Sequence, residues 1–493
     1  MKTKNLIERL SLFLLALVLT MPTWAQGGSG NESETITIAS KEDWKAFCNR
    51  VNSGQTTLNA KLTKDVDLGE EIVMAGTADP SYYNFFYYTG TFDGQGHTLK
   101  FNWNAGKDDR IAPFKYVKDA TIKNLRTQGK ITKKGYGLSG MVYIALGTTT
   151  ISGCISDVDI TGGDGSWNDS RAAGMVQAVG YQASVHITDC LVKGSITDNA
   201  DESERAMAGF VFSNDGTYTL TRCLYVGKNN ATSDKYSKTF GKDGYGATFT
   251  DCYYLNPCGK AQGDKITEEQ LKNGYVAYKL QKGIESQVWG QTLGTDNEPL
   301  PTTDATKRVY EVKFVYNGEV KATRYANSGK TVELPTAEEL LGAGYNPHHY
   351  YAIAFADGFN ASTTVTADRQ VTVSITEKDC YEIASKADWK AFCDIVGSGQ
   401  NTVDAKMTKD VDLGEDIAKV GTSNSPYGGT FDGQNHVLTV NWDAGSTNDV
   451  APFGRVNGAT IKNLRTEGSI RSDGYFLGGL IDAATPSRTA SAR

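Results

Sequence analysis

The spacing of apolar residues divides this chain into segments of different kinds. Trp44, Phe47, Cys48 and Val51 recur at i, i+3, i+4 and i+7, which predicts one amphipathic helix over 41–52. Ser40 stands where its N-cap belongs, Asp43 completes a variant capping box, and Asn52-Ser53-Gly54 ends it. A short strand, Thr35 to Ala39, precedes the helix. Beyond it Leu62, Val66 and Leu68 alternate with polar residues, predicting a half-buried strand. Next, Gly90-Thr91-Phe92-Asp93-Gly94-Gln95-Gly96-His97-Thr98-Leu99 sets two strand-like pieces around a tight Asp-Gly turn.

This whole pattern occurs twice. Residues 36–77 match 381–422 at 28 of 42 positions, and 89–131 match 428–470 at 26 of 43. The turn returns as Phe431-Asp432-Gly433 with His436. The two offsets, 345 and 339, differ by six residues, and the difference lies in an aromatic insert around Ser81–Tyr88 of copy one. Such similarity points to an internal duplication of one fold.

A shorter period runs inside copy one. An apolar-x-x-(Leu/Cys) element recurs at Ile122/Leu125, Ile151/Cys154, Ile187/Cys190, Leu220/Cys223 and Phe249/Cys252, at spacings of 29, 36, 33 and 29 residues. Gly followed by two apolar residues recurs at Gly140, Gly174 and Gly209. Short β segments at a period near 30, without helical runs between them, predict stacked coils sharing one core. The expected fold is all-β dominated: a parallel β-helix whose open N-terminal end is capped by the helix at 41–52. One Cys per coil predicts an inward ladder of buried thiols. Equivalent strand positions lie about 4.8 Å apart, wider than the Cβ separation a disulfide needs.

Glu268 to Leu280 reads as helical despite Gly274, and with Trp289-Gly290-Gln291 it is expected to close the first domain before Pro299-Leu300-Pro301. Residues 307–377 differ in kind. Val309 to Val315 alternates, Asn317-Gly318 signals a hairpin, Val320 to Tyr325 follows, and a helix (336–341) and strands at 350–356 and 363–375 complete the segment.

The succession of helix, Leu-Thr-Lys-Asp-Val-Asp-Leu, Gly-Thr-Phe-Asp-Gly-Gln-Gly-His-Thr-Leu, Pro-Phe, Thr-Ile-Lys-Asn-Leu and Gly-Met-Val…Ile-Thr-Asp-Cys resembles the GLUG-repeat secreted and cell-surface proteins of Bacteroidetes type. The resemblance covers about 35–300 and 380–482. It implies right-handed β-helices and a role in adhesion or surface interaction. Residues 307–377 resemble the small β-grasp-like spacer repeats of bacterial surface proteins. Copy two enters its next coil at Gly479-Leu480-Ile481 and then departs from the pattern. This is expected of a truncated or frameshifted copy followed by a disordered tail at 483–493.

Composition adds export. Leu10 to Met21 is a 12-residue apolar run behind Lys2, Lys4 and Arg9, with the exit Thr23-Trp24-Ala25. That is a signal peptide (1–25), shorter than the roughly 20 residues that span a bilayer. No Cys follows it to carry a lipid, and no later segment is apolar enough to cross a membrane. The expected location is therefore secreted or cell-surface. Losing Lys2, Lys4, Arg9 and Glu8 takes the net charge from −7 to −9. A mildly acidic chain with interspersed signs offers nothing to nucleic acid.

Candidate chemistry is sparse. Asp65, Asp67 and Asp93, with Asp410, Asp412 and Asp432, are read as turn-forming residues rather than as acid/base or calcium carboxylates, since their spacing fits no calcium loop. His97, His436 and the His348-His349 pair lack ligand partners at metal-binding spacing. Phe92, Asp93, Gly94, His97, Phe431, Asp432, Gly433 and His436 are taken as a structural motif, and no residue set implies a cofactor, a metal or catalysis. The aromatics Tyr82, Tyr83, Phe85, Phe86, Tyr87, Tyr88 and Trp167 are the candidate ligand contacts, suited to a glycan or a surface protein. A polysaccharide lyase or glycosidase is the rival reading, by fold analogy alone, and a purely structural spacer is the third. The export reading predicts cleavage near Ala25-Gln26. Mass spectrometry of secreted protein is expected to find no intact Met1 terminus.

Overall fold

The computed structural model describes residues 35–79, 84–106, 110–133, 137–162, 171–202, 205–232, 234–241 and 246–485. The chain divides into two compact units between Lys265 and Ile266. It is strand-rich, all-β dominated, and most of its sheets are parallel.

In the first unit, helix α1 (Lys41–Asn52) forms where the apolar spacing places it, and Trp44, Phe47, Cys48 and Val51 are fully buried. Ser40 Oγ accepts from the Asp43 amide at 3.2 Å, and Asp43 Oδ2 accepts from the Ala39 amide at 3.0 Å. The Trp44 ring meets Phe92 and Phe114 edge-on at 5.8 and 5.7 Å, and its Nε1–H donates to the Val73 carbonyl.

An eight-stranded parallel sheet runs in order through Thr35–Ile38, Asn59–Leu62, Thr91–Asp93, Thr121–Lys123, Thr148–Ser152, Ser184–Thr188, Thr217–Thr221 and Ala247–Thr250. A second parallel sheet includes Val66–Asp67, Thr98–Asn104, Arg126–Thr132, Ile155–Gly162 and Leu191–Val192. A third contains Phe114–Lys118, Val142–Leu146, Val176–Val179 and Val211–Asn214. The sequence spacings of 29, 36, 33 and 29 residues are the registers of the first sheet. Ile122 pairs with Ile151, Ile151 with Ile187, Ile187 with Leu220 and Leu220 with Phe249.

Chain direction changes between the first and second sheets at a single left-handed residue. Asn124, Gly153, Asp189, Arg222 and Asp251 have φ between 51° and 62°, and each precedes an inward Leu or Cys. At Asp93-Gly94 the same corner places Gly94 against Leu125: a Cβ there would stand 2.4 Å from Leu125 Cα. Gly433 meets Leu464 Cα at 2.5 Å in the same way. The Asp-Gly signature thus marks a corner between two sheets, and its flanking strands do not pair with each other. The expected strand over Leu62–Leu68 is likewise two strands of different sheets. The break at Thr63–Asp65 is fixed by the Thr63 amide donating to the Ile38 carbonyl and by Asp65 Oδ1 accepting from the Thr98 amide.

The second unit holds two further cores. Helices α2 (Glu268–Lys272) and α3 (Tyr275–Gln281) replace the single expected helix, because Gly274 at φ 97° ends one and starts the other. Ala277 and Tyr278 bury with Val309 beside Tyr325, and Asn327 Nδ2 donates to the Gln291 carbonyl at 2.6 Å. Residues 266–301 therefore share a core with the segment that follows. That segment is a mixed sheet in the order Glu319–Asn327, Val309–Tyr316, Arg369–Lys378, Tyr350–Phe355, with helix α4 (Ala337–Leu341). The Asn317-Gly318 turn has φ 52° and 81°, as an Asn-Gly hairpin requires. The last strand begins at Arg369 rather than 363, after a turn closed by Asn360 and Thr363.

Copy two repeats the start of copy one. Helix α5 (Lys386–Gly397) buries Trp389 against Phe431 and Phe453 at 5.7 and 5.8 Å. Strands Tyr381–Ile383, Ala405–Met407, Thr430–Asp432 and Thr460–Lys462 form one parallel sheet; Val411–Gly414, Val437–Asp443 and Arg465–Arg471 form another. Of the helix face, Cys393 is only half-buried, unlike Cys48.

All eight cysteines are free thiols. Cys154, Cys190 and Cys223 are fully buried, each Sγ lying 3.7 Å from the carbonyl of the apolar residue one repeat earlier: Ile122, Ile151 and Ile187. Burial pushes the Cys190 and Cys223 thiols well above their ordinary value. These three are expected to resist alkylation in the folded protein and to react fully once denatured. Cys190→Ala should cost on the order of 1 kcal/mol in denaturant unfolding, and Cys190→Asp several-fold more.

Candidate functional site

The six-residue difference between the copies is a hairpin. In copy one the chain bridges Phe114 at Ala75, leaves, and returns to bridge Val117 at Tyr88. In copy two the same exit and return fall at Val420 and Tyr427, on Phe453 and Val456. Between them copy one builds an antiparallel pair, Thr77–Asp79 with Asn84–Phe86, in which Ala78 faces Phe85.

This hairpin carries Phe85, which is 43% exposed. Its ring stacks on Tyr87 at 5.5 Å with planes 5° apart. Both rings stand edge-on to Tyr116, at 5.9 and 6.2 Å. Tyr116 is buried beneath them, meets Tyr143 at 5.9 Å, and accepts a hydrogen bond on its hydroxyl from Arg110 Nη1 at 3.1 Å. Arg110 also lies 6.0 Å from the Tyr143 ring, and Lys115 Nζ lies 6.0 Å from that of Tyr116. Burial, with Tyr116 nearby, raises the Tyr87 phenol above its ordinary value. The arrangement presents a rigid, flat aromatic face over a cation-supported aromatic floor. Rigid rings bind with little loss of rotamer freedom.

The candidate aromatics therefore part company. Phe85 and Tyr87 form the face. Phe86 is half-buried and turns toward Gly54, where an added Cβ would stand 3.4 Å from its ring. Tyr88 is a correction: it is fully buried against Phe47 and Phe114, at 5.4 and 5.8 Å, and belongs to the core. Its place in the core follows from its bridge to Val117, which turns it inward. Tyr82, Tyr83 and Trp167 lie outside the described residues. Sequence reading missed Arg110, Tyr116 and Tyr143. The signal lay in the comparison of the copies, for these positions are Asp449, Arg455 and Asp482 in copy two, where Arg455 pairs with Asp449 at 3.1 Å.

The aspartates hold turns. Asp65 accepts from the Thr98 amide, Asp67 from Gly69 and Asp93 from Gln95, each at 2.8–2.9 Å. Asp93 Oδ1 also accepts from Asn124 Nδ2 at 3.1 Å, with Lys123 Nζ 3.4 Å from its other oxygen. Asp432 repeats this with Gln434, Asn463 and Lys462. His97 and His436 face Asp65 and Asp410 at 3.6 and 3.0 Å. Phe92 and Phe431 are core residues in both copies. Among the described residues no group of three or more His, Cys, Asp or Glu is placed to hold a metal ion, and no helix is long and apolar enough to cross a membrane.

No family model and no curated protein matches the chain. A solved structure from Bacteroides ovatus, provisionally named an immunoglobulin A1 protease, is similar at 15% identity and a TM-score of 0.37, over 56% of this chain and 94% of that one.

Partial burial opposes ionisation of Asp93, but the Gln95 amide, Asn124 and Lys123 together hold its carboxyl below the ordinary value. Its stabilising contribution is then complete above the unfolded value near pH 4 and is lost as pH falls through the lower folded value. Asp93→Asn should lower the unfolding free energy at neutral pH by on the order of 1 kcal/mol. Urea titrations at successively lower pH should show that gap narrowing below about pH 4.

Proposed function

We propose that this chain is an exported, surface-displayed binding protein, an adhesin or ligand-binding stalk of the GLUG type. It recognises a glycan or a surface protein and carries out no chemistry on it. In this reading each copy is a right-handed parallel β-helix, capped at its N-terminal end by α1 or α5, and residues 307–377 are a β-grasp-like spacer. Support for the helical path is the advance of one strand per sheet per repeat, at the same intervals that the sequence repeats. The mixed sheet with its parallel central pair, Val309–Tyr316 beside Arg369–Lys378, supports the spacer assignment.

The observation that carries the binding reading is the stacked Phe85–Tyr87 pair, held at an exposed face by a hairpin that copy two lacks. Flat aromatic faces suit the apolar faces of sugar rings and the apolar patches of proteins. Glycan-array binding of the whole chain tests this. Phe85→Ala and Tyr87→Ala should each weaken a positive signal at least about tenfold, and Phe85→Ala should do so with little change in the thermal midpoint. An array that stays blank, with no surface-protein ligand recovered, would favour a spacer; release of new reducing ends from polysaccharide would establish an enzyme.

A further inference from the structure

In copy one the corner between the third and first sheets carries an insert in a single coil. Ala145, Val179 and Asn214 are register partners on the third sheet, as are Thr148, Ser184 and Thr217 on the first. Two residues join them in the coils before and after, whereas Gly180 to Ala183 join them in the middle coil. The Ala183 amide donates to the Gly180 carbonyl at 3.1 Å and closes a tight turn. Gln182 holds a left-handed φ of 56° at its second central position, where Gly or Asn is the ordinary choice. The turn lifts Tyr181 out of the stack and leaves it 78% exposed, the highest value of any large hydrophobic side chain among the described residues. Beside it the next coil is bare backbone, for a Cβ on Gly216 would stand 2.5 Å from both the Gly180 and Ala183 carbonyl oxygens. A groove of about 490 Å³ results, with Tyr181 on its lining and Ser184, Asp215, Thr217 and Gly246 around it.

We propose that this groove is a second ligand site, sharing no residue with the Phe85–Tyr87 face, and that it takes a neutral polysaccharide. An exposed phenol ring offers a flat apolar face to a pyranose ring. Polar groups for the sugar hydroxyls line the same groove. Thr217 Oγ1 donates to the Ala183 carbonyl at 3.3 Å and keeps its lone pairs for a ligand, and Ser184 brings a second hydroxyl. Asp65, Asp67 and Asp93 are committed to turns, but among the described residues nothing is hydrogen-bonded to the Asp215 carboxylate. That carboxylate is the one formal charge on the lining, so a uronate or a sulfate is repelled. The adjoining surface agrees. Ser184 and Thr217 begin strands of the first sheet whose outward columns carry no charged Asp, Glu, Lys or Arg. Thr150, His186, Thr219 and Thr248 form one column, and the next, from Ser152 to Thr250, is Ser and Thr throughout. His186 is itself held there, with Nδ1 3.0 Å from Thr219 Oγ1. A polysaccharide leaving the groove over this face meets hydroxyls and one imidazole.

Binding of the full chain to immobilised galactomannan, xyloglucan and dextran, with polygalacturonate and poly-L-lysine as charged comparisons, tests the proposal. At least one neutral polymer should be bound. Tyr181→Ala should weaken that binding at least about tenfold, in the unmodified chain and in the Phe85→Ala variant alike, while Tyr181→Phe keeps it. The thermal midpoint should hold through Tyr181→Ala, because the ring lies outside the core. Asp215→Asn, which keeps a hydrogen-bonding group and removes the charge, should retain the neutral polymer and admit polygalacturonate. Failure to bind any of the three neutral polymers overturns the proposal, as does binding indifferent to Tyr181→Ala. Tyr181-dependent capture by poly-L-lysine alone would assign the groove to a basic protein segment and overturn it too. Binding lost with Phe85→Ala but untouched by Tyr181→Ala would remove this second site and leave the Phe85–Tyr87 face standing.

Discussion

The architecture depends on one backbone manoeuvre repeated at Asn124, Gly153, Asp189 and Arg222. A single residue turns left-handed and sends the chain into the next sheet, yet its amide still bonds along the stack. Asn124 donates to the Ser152 carbonyl, Gly153 to Thr188, Asp189 to Thr221 and Arg222 to Thr250, at 2.9–3.0 Å. Because that hydrogen bond is never given up, the corner costs conformational strain but leaves no unpaired polar group. Two of the corner residues also pair with each other: Arg222 grips Asp189 through two contacts of 2.7 Å, one repeat apart. The residue after each corner then has one place to go, inward, and Leu125, Cys154, Cys190, Cys223 and Cys252 fill that column.

Much of this was legible in the chain because parallel register converts sequence spacing directly into strand pairing. The intervals of 29 to 36 residues and the duplicated helix face could be read without coordinates, as could the buried thiols. What could not be read was where alternation stops being one strand. Leu62 to Leu68 keeps a two-residue period through a corner, since inward and outward positions continue to alternate on either side of Thr63–Asp65. Gly274 was underweighted for a related reason: apolar spacing on both sides of it suggests one helix, and only its left-handed φ separates two.

The candidate site shows the same division. An aromatic-rich insert is visible in sequence, but its parity is not. Phe85 and Tyr87 stack outward while Tyr88, one residue on, is core. The floor of the site, Tyr116 and Tyr143 with Arg110, sits on strands whose alternation marks those residues only as outward. Copy two has filled the same three positions with Asp449, Arg455 and Asp482, and there Arg455 pairs with Asp449. Duplication has therefore kept the corners and the core and let the outer layer drift. That is the behaviour expected when backbone register carries the fold and loops carry recognition.

The free thiols have a kinetic consequence. Were the unfolded chain to meet an oxidant, any two of its eight cysteines could join. A wrong bridge between two corner cysteines would lock their repeats out of register. Under such an oxidant native burial would have to outrun oxidation, with thiols reaching their inward column first. Each added repeat needs only its neighbour in place, but parallel pairing across about 30 residues is itself slow. In that setting the column of small buried side chains would tie redox outcome to folding order, each cysteine staying unbridged only if the repeat that covers it arrives first.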